Sequence, residues 1–232
     1  MKTTQRTGIA LITLLARSGL AFALGITLHD VRAADQGRAK KDSKASAPVM
    51  FADFESGRCE TVEQTPWSDF TDSSLKGKSS IQIQLSDKGA ENSRGAMALT
   101  GKLTSDFQWG GFAGARAAVQ SSEQSRDLGR FTGVQFYARG DGRTYRVVLA
   151  RDSIKDGNHF VAEFTAGQDW KLVQVPFTKL AQSPYFGTLV PWSASDVKGV
   201  GFMAAASPGE ATDFKVELDN IAFYTDIAST GK

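Results

Sequence analysis

From Val49 onward, apolar side chains recur at nearly every second residue, and this period of two restricts the fold more than any single motif. Val134, Phe136 and Ala138 alternate with Gln135, Tyr137 and Arg139. Near the C-terminus, Phe214, Val216 and Leu218 alternate with Lys215, Glu217 and Asp219. Successive side chains of a strand point to opposite faces, so the pattern predicts half-buried strands rather than helices. Gly140-Asp141-Gly142 separates two such runs and supplies the positive-φ residues that a hairpin turn needs. Strands are predicted over residues 49–54, 80–85, 95–104, 112–119, 131–139, 144–151, 158–165, 170–177, 197–204 and 214–224. Pro176 marks an end or edge position. No amphipathic helix exceeds two turns and no segment repeats. The fold class is therefore all-β: a two-sheet antiparallel β-sandwich of jelly-roll type, spanning 49–226.

The start of the chain has a different character. Lys2 and Arg6 precede apolar runs at 8–16 and 19–28, and Val31-Arg32-Ala33 offers small-residue spacing for cleavage before Ala34. Residues 1–33 thus read as a signal peptide, with a mitochondrial transit peptide or a retained anchor as alternatives. Residues 34–48 lack large apolar side chains and read as a flexible basic linker, and 227–232 as a frayed tail. The expected location is periplasmic or secreted; the alternative is mitochondrial. No segment after the leader is long and apolar enough to span a membrane.

Charge and residue inventory exclude several functions. The net charge of +2 belongs to the leader and linker, leaving the domain slightly acidic. Nucleic acid is therefore not an expected partner, because phosphate backbones select a basic surface. Cys59 is the single cysteine, so no disulfide can form within the chain. It reads as a small half-buried side chain, with a reactive thiol as the alternative. His29 lies in the leader, and His159 follows a turn as a solvated residue at a strand start. A His/Cys zinc cluster and a phosphate-binding loop are both missing. No catalytic residues are assigned, and the chain is not expected to be an enzyme.

The face opposite Val134, Phe136 and Ala138 offers candidate ligand contacts. Gln135, Tyr137 and Arg139 share it, and Glu163 on a neighbouring strand lies opposite Phe160 and Phe164. A stacking ring beside forked donors and acceptors suits a glycan or a polar protein surface. An ordinary solvated face is the alternative. Among the loop aromatics, Trp109 and Trp192, with Tyr185 and Phe186, either rim that face or fold back over the end of the sandwich.

Three short elements carry a resemblance: Phe54-Glu55-Ser56-Gly57, Gly77-Lys78-Ser79-Ser80-Ile81 and Glu217-Leu218-Asp219-Asn220-Ile221. Together they resemble galactose-binding-like jelly rolls, especially carbohydrate-binding modules related to family 11. The stretch Trp109–Arg116, with Asp127-Leu128, Phe131–Val134, Arg139–Tyr145, Trp170, Val175-Pro176-Phe177 and Val197–Phe202, resembles the complex I intermediate-associated protein 30 family. The segment Asp72–Ser79 is closer to the carbohydrate-binding version. The resemblance implies a sandwich with one concave binding face. It also implies a structural Ca²⁺, held by Glu55 and Asp219 with carbonyl oxygens near Lys78 and Ser80. The alternative is that these carboxylates cap strand ends or pair with lysines.

The reading taken forward is a non-catalytic carbohydrate-binding module, monomeric, acting outside the cytoplasm. A protein-binding assembly factor or chaperone is the alternative, and a jelly-roll hydrolase or lyase the third reading.

Overall fold

The computed structural model describes residues 46–226, apart from 105, 107 and 123. The leader, most of the linker and the tail lie outside the described residues. Eleven strands follow in order: β1 (Val49–Ala52), β2 (Ser68–Thr71), β3 (Ser80–Ser86), β4 (Ala96–Leu103), β5 (Phe112–Ala118), β6 (Gly133–Gly140), β7 (Thr144–Arg151), β8 (Phe160–Thr165), β9 (Lys171–Pro176), β10 (Val197–Ala205) and β11 (Thr212–Tyr224). No α-helix is present among the described residues, only two single-turn 3₁₀ segments, Asp72–Leu75 and Phe177–Lys179.

The strands form two antiparallel sheets. One has the order β3-β4-β11-β6-β9, with β1 also paired to β11; the other has the order β2-β5-β10-β7-β8. This is the expected all-β sandwich. The hairpin expected around Gly140-Asp141-Gly142 does not form: the turn, with Gly142 at φ +88°, carries the chain from β6 in one sheet to β7 in the other, because alternation does not tell one sheet from the other. β2 was not anticipated: it is four residues long, carries Asp69, and buries neither face fully.

The inward set of each sheet packs against the other. Phe136 of β6 meets Phe202 of β10 edge-to-face, with ring centroids 4.8 Å apart, and Phe164 of β8 at 4.9 Å. Trp67 extends the cluster, 5.9 Å from Phe202. Phe136 and Phe202 are wholly buried. The crossover turn is pinned from inside the fold: the single Tyr145 hydroxyl proton faces Asp141 Oδ1 at 2.8 Å and the Lys215 carbonyl at 2.9 Å. Burial pushes that phenol well above its ordinary value.

The Asp72–Ser79 segment is a structural lock. The buried Asp72 carboxylate accepts from Ser79 N at 3.0 Å, Ser79 Oγ at 2.6 Å and Phe112 N at 3.2 Å. A Cβ on Gly77 would lie 2.2 Å from Asp72 Cγ, so the glycine is required by this contact. Gly77 and Ser79 thus serve the strand entry.

Because Phe202 contacts both sheets, Phe202→Ala should cost about 3–5 kcal/mol of stability. Urea denaturation of wild type and variant measures the difference.

Candidate functional site

Period two assigns every strand residue a face, and the pairing registers join those faces into rows. On the outer side of the five-stranded sheet, one row runs Phe70 (β2), Gly114 (β5), Met203 (β10), Arg146 (β7), Glu163 (β8). The next runs Ser68, Arg116, Gly201, Val148, Val161. Beyond it, Ala118, Gly199 and Ala150 continue the surface.

The central strand of this face carries glycine at two outward positions, Gly199 and Gly201. A Cβ on Gly201 would come within 3.0 Å of the Ala115 carbonyl, and one on Gly199 within 3.0 Å of the Ala117 carbonyl. On β5, a Cβ on Gly114 would meet the Phe202 carbonyl at 2.4 Å and the Phe70 ring at 2.5 Å. Neighbouring carbonyls therefore crowd the outer side of the β5–β10 pair, as they do on the inside of a curl. Glycine at these positions admits that close approach, and all three glycines are themselves buried. The side chains around them are chemically mixed. Arg146 donates to Glu163 from Nε and Nη2 at 3.2 and 3.1 Å, with both side chains well exposed. Arg116 lies 5.9 Å over the Phe70 ring and has no carboxylate partner among the described residues. Phe70 and Met203 add half-buried apolar surface.

His159 shares the outward register of Val161 and Glu163. It is half-buried rather than solvated, and its Nδ1 has no hydrogen-bond partner. Burial first, then the Arg116 charge, hold its pKa below the ordinary imidazole value.

The outer face of the six-stranded sheet holds Gln135, Tyr137 and Arg139 of β6. Glu163 is not with them: β6 and β8 belong to different sheets. The shared face expected from the sequence is corrected, because alternation tells inward from outward but not one sheet from the other. Arg139 is committed internally. It donates to Glu217 Oε2 from Nε at 2.8 Å and Nη2 at 2.5 Å, and lies 4.6 Å over the Trp170 ring. Gln135 accepts from Gln174 at 3.1 Å. Burial and the Glu91 carboxylate raise the Tyr137 hydroxyl above its usual value.

Trp109 is 72% exposed, in the loop before β5. Trp192 folds back instead, its ring centroid 5.0 Å from Phe160 and 5.2 Å from Phe177. A cleft of about 360 Å³ opens elsewhere, between Met50, Val62, Arg126 and Phe131, away from the outward rows of either sheet.

The residues proposed for calcium divide. Ser80 pairs with Lys102, and Lys102 with Asp213, six residues from Asp219 along β11. At ~3.3 Å per residue, the Lys78–Ser80 stretch lies roughly 20 Å from that carboxylate, too far to join it. Lys78 instead pairs with Asp106 at 2.8 Å. Glu55 and Asp219 do meet, through the loop between β3 and β4. Glu55 Oε1 accepts from Ser93 Oγ at 2.7 Å and Arg94 N at 2.8 Å, and Asp219 Oδ2 accepts from Ala90 N at 2.8 Å. The Ser93 hydroxyl also lies 2.9 Å from the Gly95 carbonyl. One hydroxyl proton therefore faces two acceptors, Glu55 Oε1 and Gly95 O. A Cβ on Gly89 would lie 2.4 Å from Asp219 Oδ2, 2.4 Å from Ser93 Oγ and 2.5 Å from Gly95 O. Such convergent hard oxygens are the donor class that Ca²⁺ takes. The set holds two carboxylates, and no three His, Cys, Asp or Glu side chains cluster among the described residues.

A family model for complex I intermediate-associated protein 30 matches residues 52–218. The chain belongs to that family. Two solved family 11 carbohydrate-binding modules of Clostridium thermocellum share its fold. One, solved with a β-1,3-1,4-mixed-linked tetrasaccharide, is 18% identical, with a TM-score of 0.58 over 78% of this chain and 98% of that one. The other, from the cellulosomal cellulase Lic26A-Cel5E, is 19% identical, with a TM-score of 0.58 over 81% of this chain and 100% of that one. Endoglucanase 3 of Fibrobacter succinogenes is 23% identical over 181 residues, 75% of this chain but 27% of that enzyme. The chain thus spans about a quarter of that relative.

Within this family member, burial is the main influence on Asp219, raising its pKa above the ordinary 3.8, and the Glu55 charge adds to the rise. Hydrogen bonds to Glu55 from Ser93 and Arg94 lower that carboxyl instead. The folded state therefore holds the Asp219 proton more tightly than the unfolded state does. With no cation bound, its contribution is fully present below 3.8 and is lost as pH rises through the raised value. In chelator, Asp219→Asn should therefore melt at or above the wild-type temperature at neutral pH, with its advantage shrinking in acid. Thermal melts across that range decide it.

Proposed function

We propose that this chain is a non-catalytic glycan-binding module acting outside the cytoplasm, with its ligand lying across the outer face of the five-stranded sheet. The observation that carries this reading is the outward face around Gly199 and Gly201, where Phe70, Arg116, Arg146 and Glu163 gather in neighbouring rows. The Arg146–Glu163 pair offers donors and acceptors to hydroxyl groups with little net charge, and Phe70 and Met203 offer apolar surface to sugar ring faces. The face crosses five strands, roughly 19 Å at ~4.8 Å per strand. That length suits an extended, uncharged chain, and the β-1,3-1,4-mixed-linked tetrasaccharide held by the family 11 module is the first to try. The apparent export leader supports the location. Family membership favours a second reading, a protein-binding assembly factor, and a mitochondrial location would support it.

The decisive comparison sets Arg116→Ala and Glu163→Ala against Tyr137→Ala on a glycan array followed by titration calorimetry. Arg139 is a poor control, since removing it takes the guanidinium from buried Glu217 Oε2 and so disturbs the fold itself. Arg116 is exposed, so its loss should change stability by no more than about 0.5 kcal/mol. Its loss from a real binding face should cost about 2 kcal/mol of affinity, roughly thirtyfold. Loss of binding in Tyr137→Ala alone would move the ligand to the six-stranded sheet. Turnover of a bound glycan would overturn the non-catalytic reading.

We also propose that Glu55, Asp219, Ser93 Oγ and the Gly95 carbonyl hold a structural Ca²⁺. Such an ion binds the native state only, so the melting temperature should climb with free Ca²⁺. Glu55→Gln and Asp219→Asn should each abolish the climb. A melting curve indifferent to calcium, after chelation has removed any resident ion, rules the site out.

A further inference from the structure

Sheet edges invite pairing with another chain, and folded proteins blunt them with charge, proline, shortness or a cover. Four of the five strands with an unpaired side here are blunted. β1, paired only to β11, is four residues long. β9 begins with Lys171 and ends with Pro176. β2 is four residues long and carries Asp69. β8 is covered by Ala181, which bridges Val161.

β3 is the exception. Ser80-Ile81-Gln82-Ile83-Gln84-Leu85-Ser86 is seven residues long and contains no charge, proline or glycine. It pairs with β4 on one side and with no strand on the other. Ile81 and Ile83 are half-buried and Leu85 is 41% exposed, so the edge keeps apolar surface that a partner could cover.

The order of its residues points to the partner. Reversed about Ile83, the strand reads nearly the same. Antiparallel pairing with a second copy sets Ser80 opposite Ser86, Ile81 opposite Leu85, Gln82 opposite Gln84 and Ile83 opposite itself. A two-fold interface requires that kind of self-complementarity, because each residue must accept its partner's counterpart. Like residues directly opposite are costly when charged, and none of these is. The Gln82 and Gln84 amides already lie 3.5 Å apart within one strand, facing outward where a partner's amides could extend the ladder.

We propose that β3 pairs with β3 of a second copy, joining the two six-stranded sheets edge to edge in a two-fold dimer. The opposite edge of that sheet ends in Lys171 and Pro176, so the assembly closes at two copies. A strand-edge interface is narrow, and the dimer is accordingly weak and concentration-dependent. The monomer expected from composition is the dilute state. Glycan binding plays no part in this inference, which stands or falls separately.

The test is sedimentation of the native, processed protein up to its solubility limit. Gln82→Lys/Gln84→Lys places lysine opposite lysine at two points while altering only exposed side chains. Circular dichroism and melting confirm that the variant is folded. Wild-type mass should rise towards twice that of the monomer, and the double variant should associate about tenfold more weakly or less. Mixing it with Gln82→Glu/Gln84→Glu should restore dimers. Three results would overturn the proposal: a wild type that stays monomeric or grows past two copies, a double variant that dimerises normally, or a mixture that fails to pair.

Discussion

The contact between Phe136 and Phe202, 4.8 Å from centroid to centroid, fixes where everything else in the sandwich sits. Phe202 comes from the central strand of its sheet and Phe136 from an interior strand of the other, and each is wholly buried. Once Phe136 points inward, period two sends Gln135 and Tyr137 outward on β6. Once Phe202 points inward, Gly201 and Met203 must face out on β10. Neither outer surface is free to choose its residues independently of the core. The single set of aromatic contacts therefore sets the composition of both outer faces.

Those faces use their polar groups differently. On the six-stranded sheet, Glu217 is almost fully buried and holds Arg139, while Lys215 Nζ reaches its other oxygen at 3.2 Å. Arg139 also donates to the Lys88 carbonyl, drawing the β3–β4 loop over the surface. These interactions satisfy one another, so little binding capacity is left over. On the five-stranded sheet the Arg146–Glu163 pair stands well exposed, where a solvent-facing ion pair contributes little to stability. Exchanging that pair's water for ligand hydroxyls loses little from the fold. The same ion-pair chemistry is structural on one side and available on the other.

Most of the strands were legible because alternation reports burial directly. β2 was not: four residues with one charge make no pattern, and only the register with β5 reveals it. The sheet to which each strand belongs was equally hidden. Tyr137 and Glu163 both face away from the core, yet β6 pairs with β9 and β11, whereas β8 pairs with β7. Strand order depends on long-range pairing, to which a period of two is blind. Trp192 illustrates the same limit for loops, since its packing on Phe160 and Phe177 joins segments far apart in sequence. One signal was readable and missed. Gly199 and Gly201 alternate with Val200 within a predicted strand, and glycine on the outward register of a central strand marks a close backbone approach.

The oxygen cluster around Asp219 has a topological cause. β11 runs beside β4 as far as Leu218, opposite Met97, and beside β1 from Ile221, opposite Ala52. Between them its pairing slips, and Asn220 takes a positive φ of 49°. Such a bulge bends the strand and re-aims its side chains. Asp219 therefore lies at the seam where one neighbour ends and the other begins, wholly buried. Glu55 comes from just beyond β1, and Ser93 and Gly95 come from the segment leading into β4. Three chain segments thus bring oxygen to one point with few hydrogens between them. A buried carboxylate is tolerated when a proton, hydrogen bonds or a cation offsets its charge. The Ala90 and Asn220 amides supply part of that offset, at 2.8 and 2.7 Å. Burial still outweighs them in raising the Asp219 pKa. The seam is thus the point in the sandwich where a bound cation would do most for stability, joining β1, the β4 entry and the β11 bulge at once.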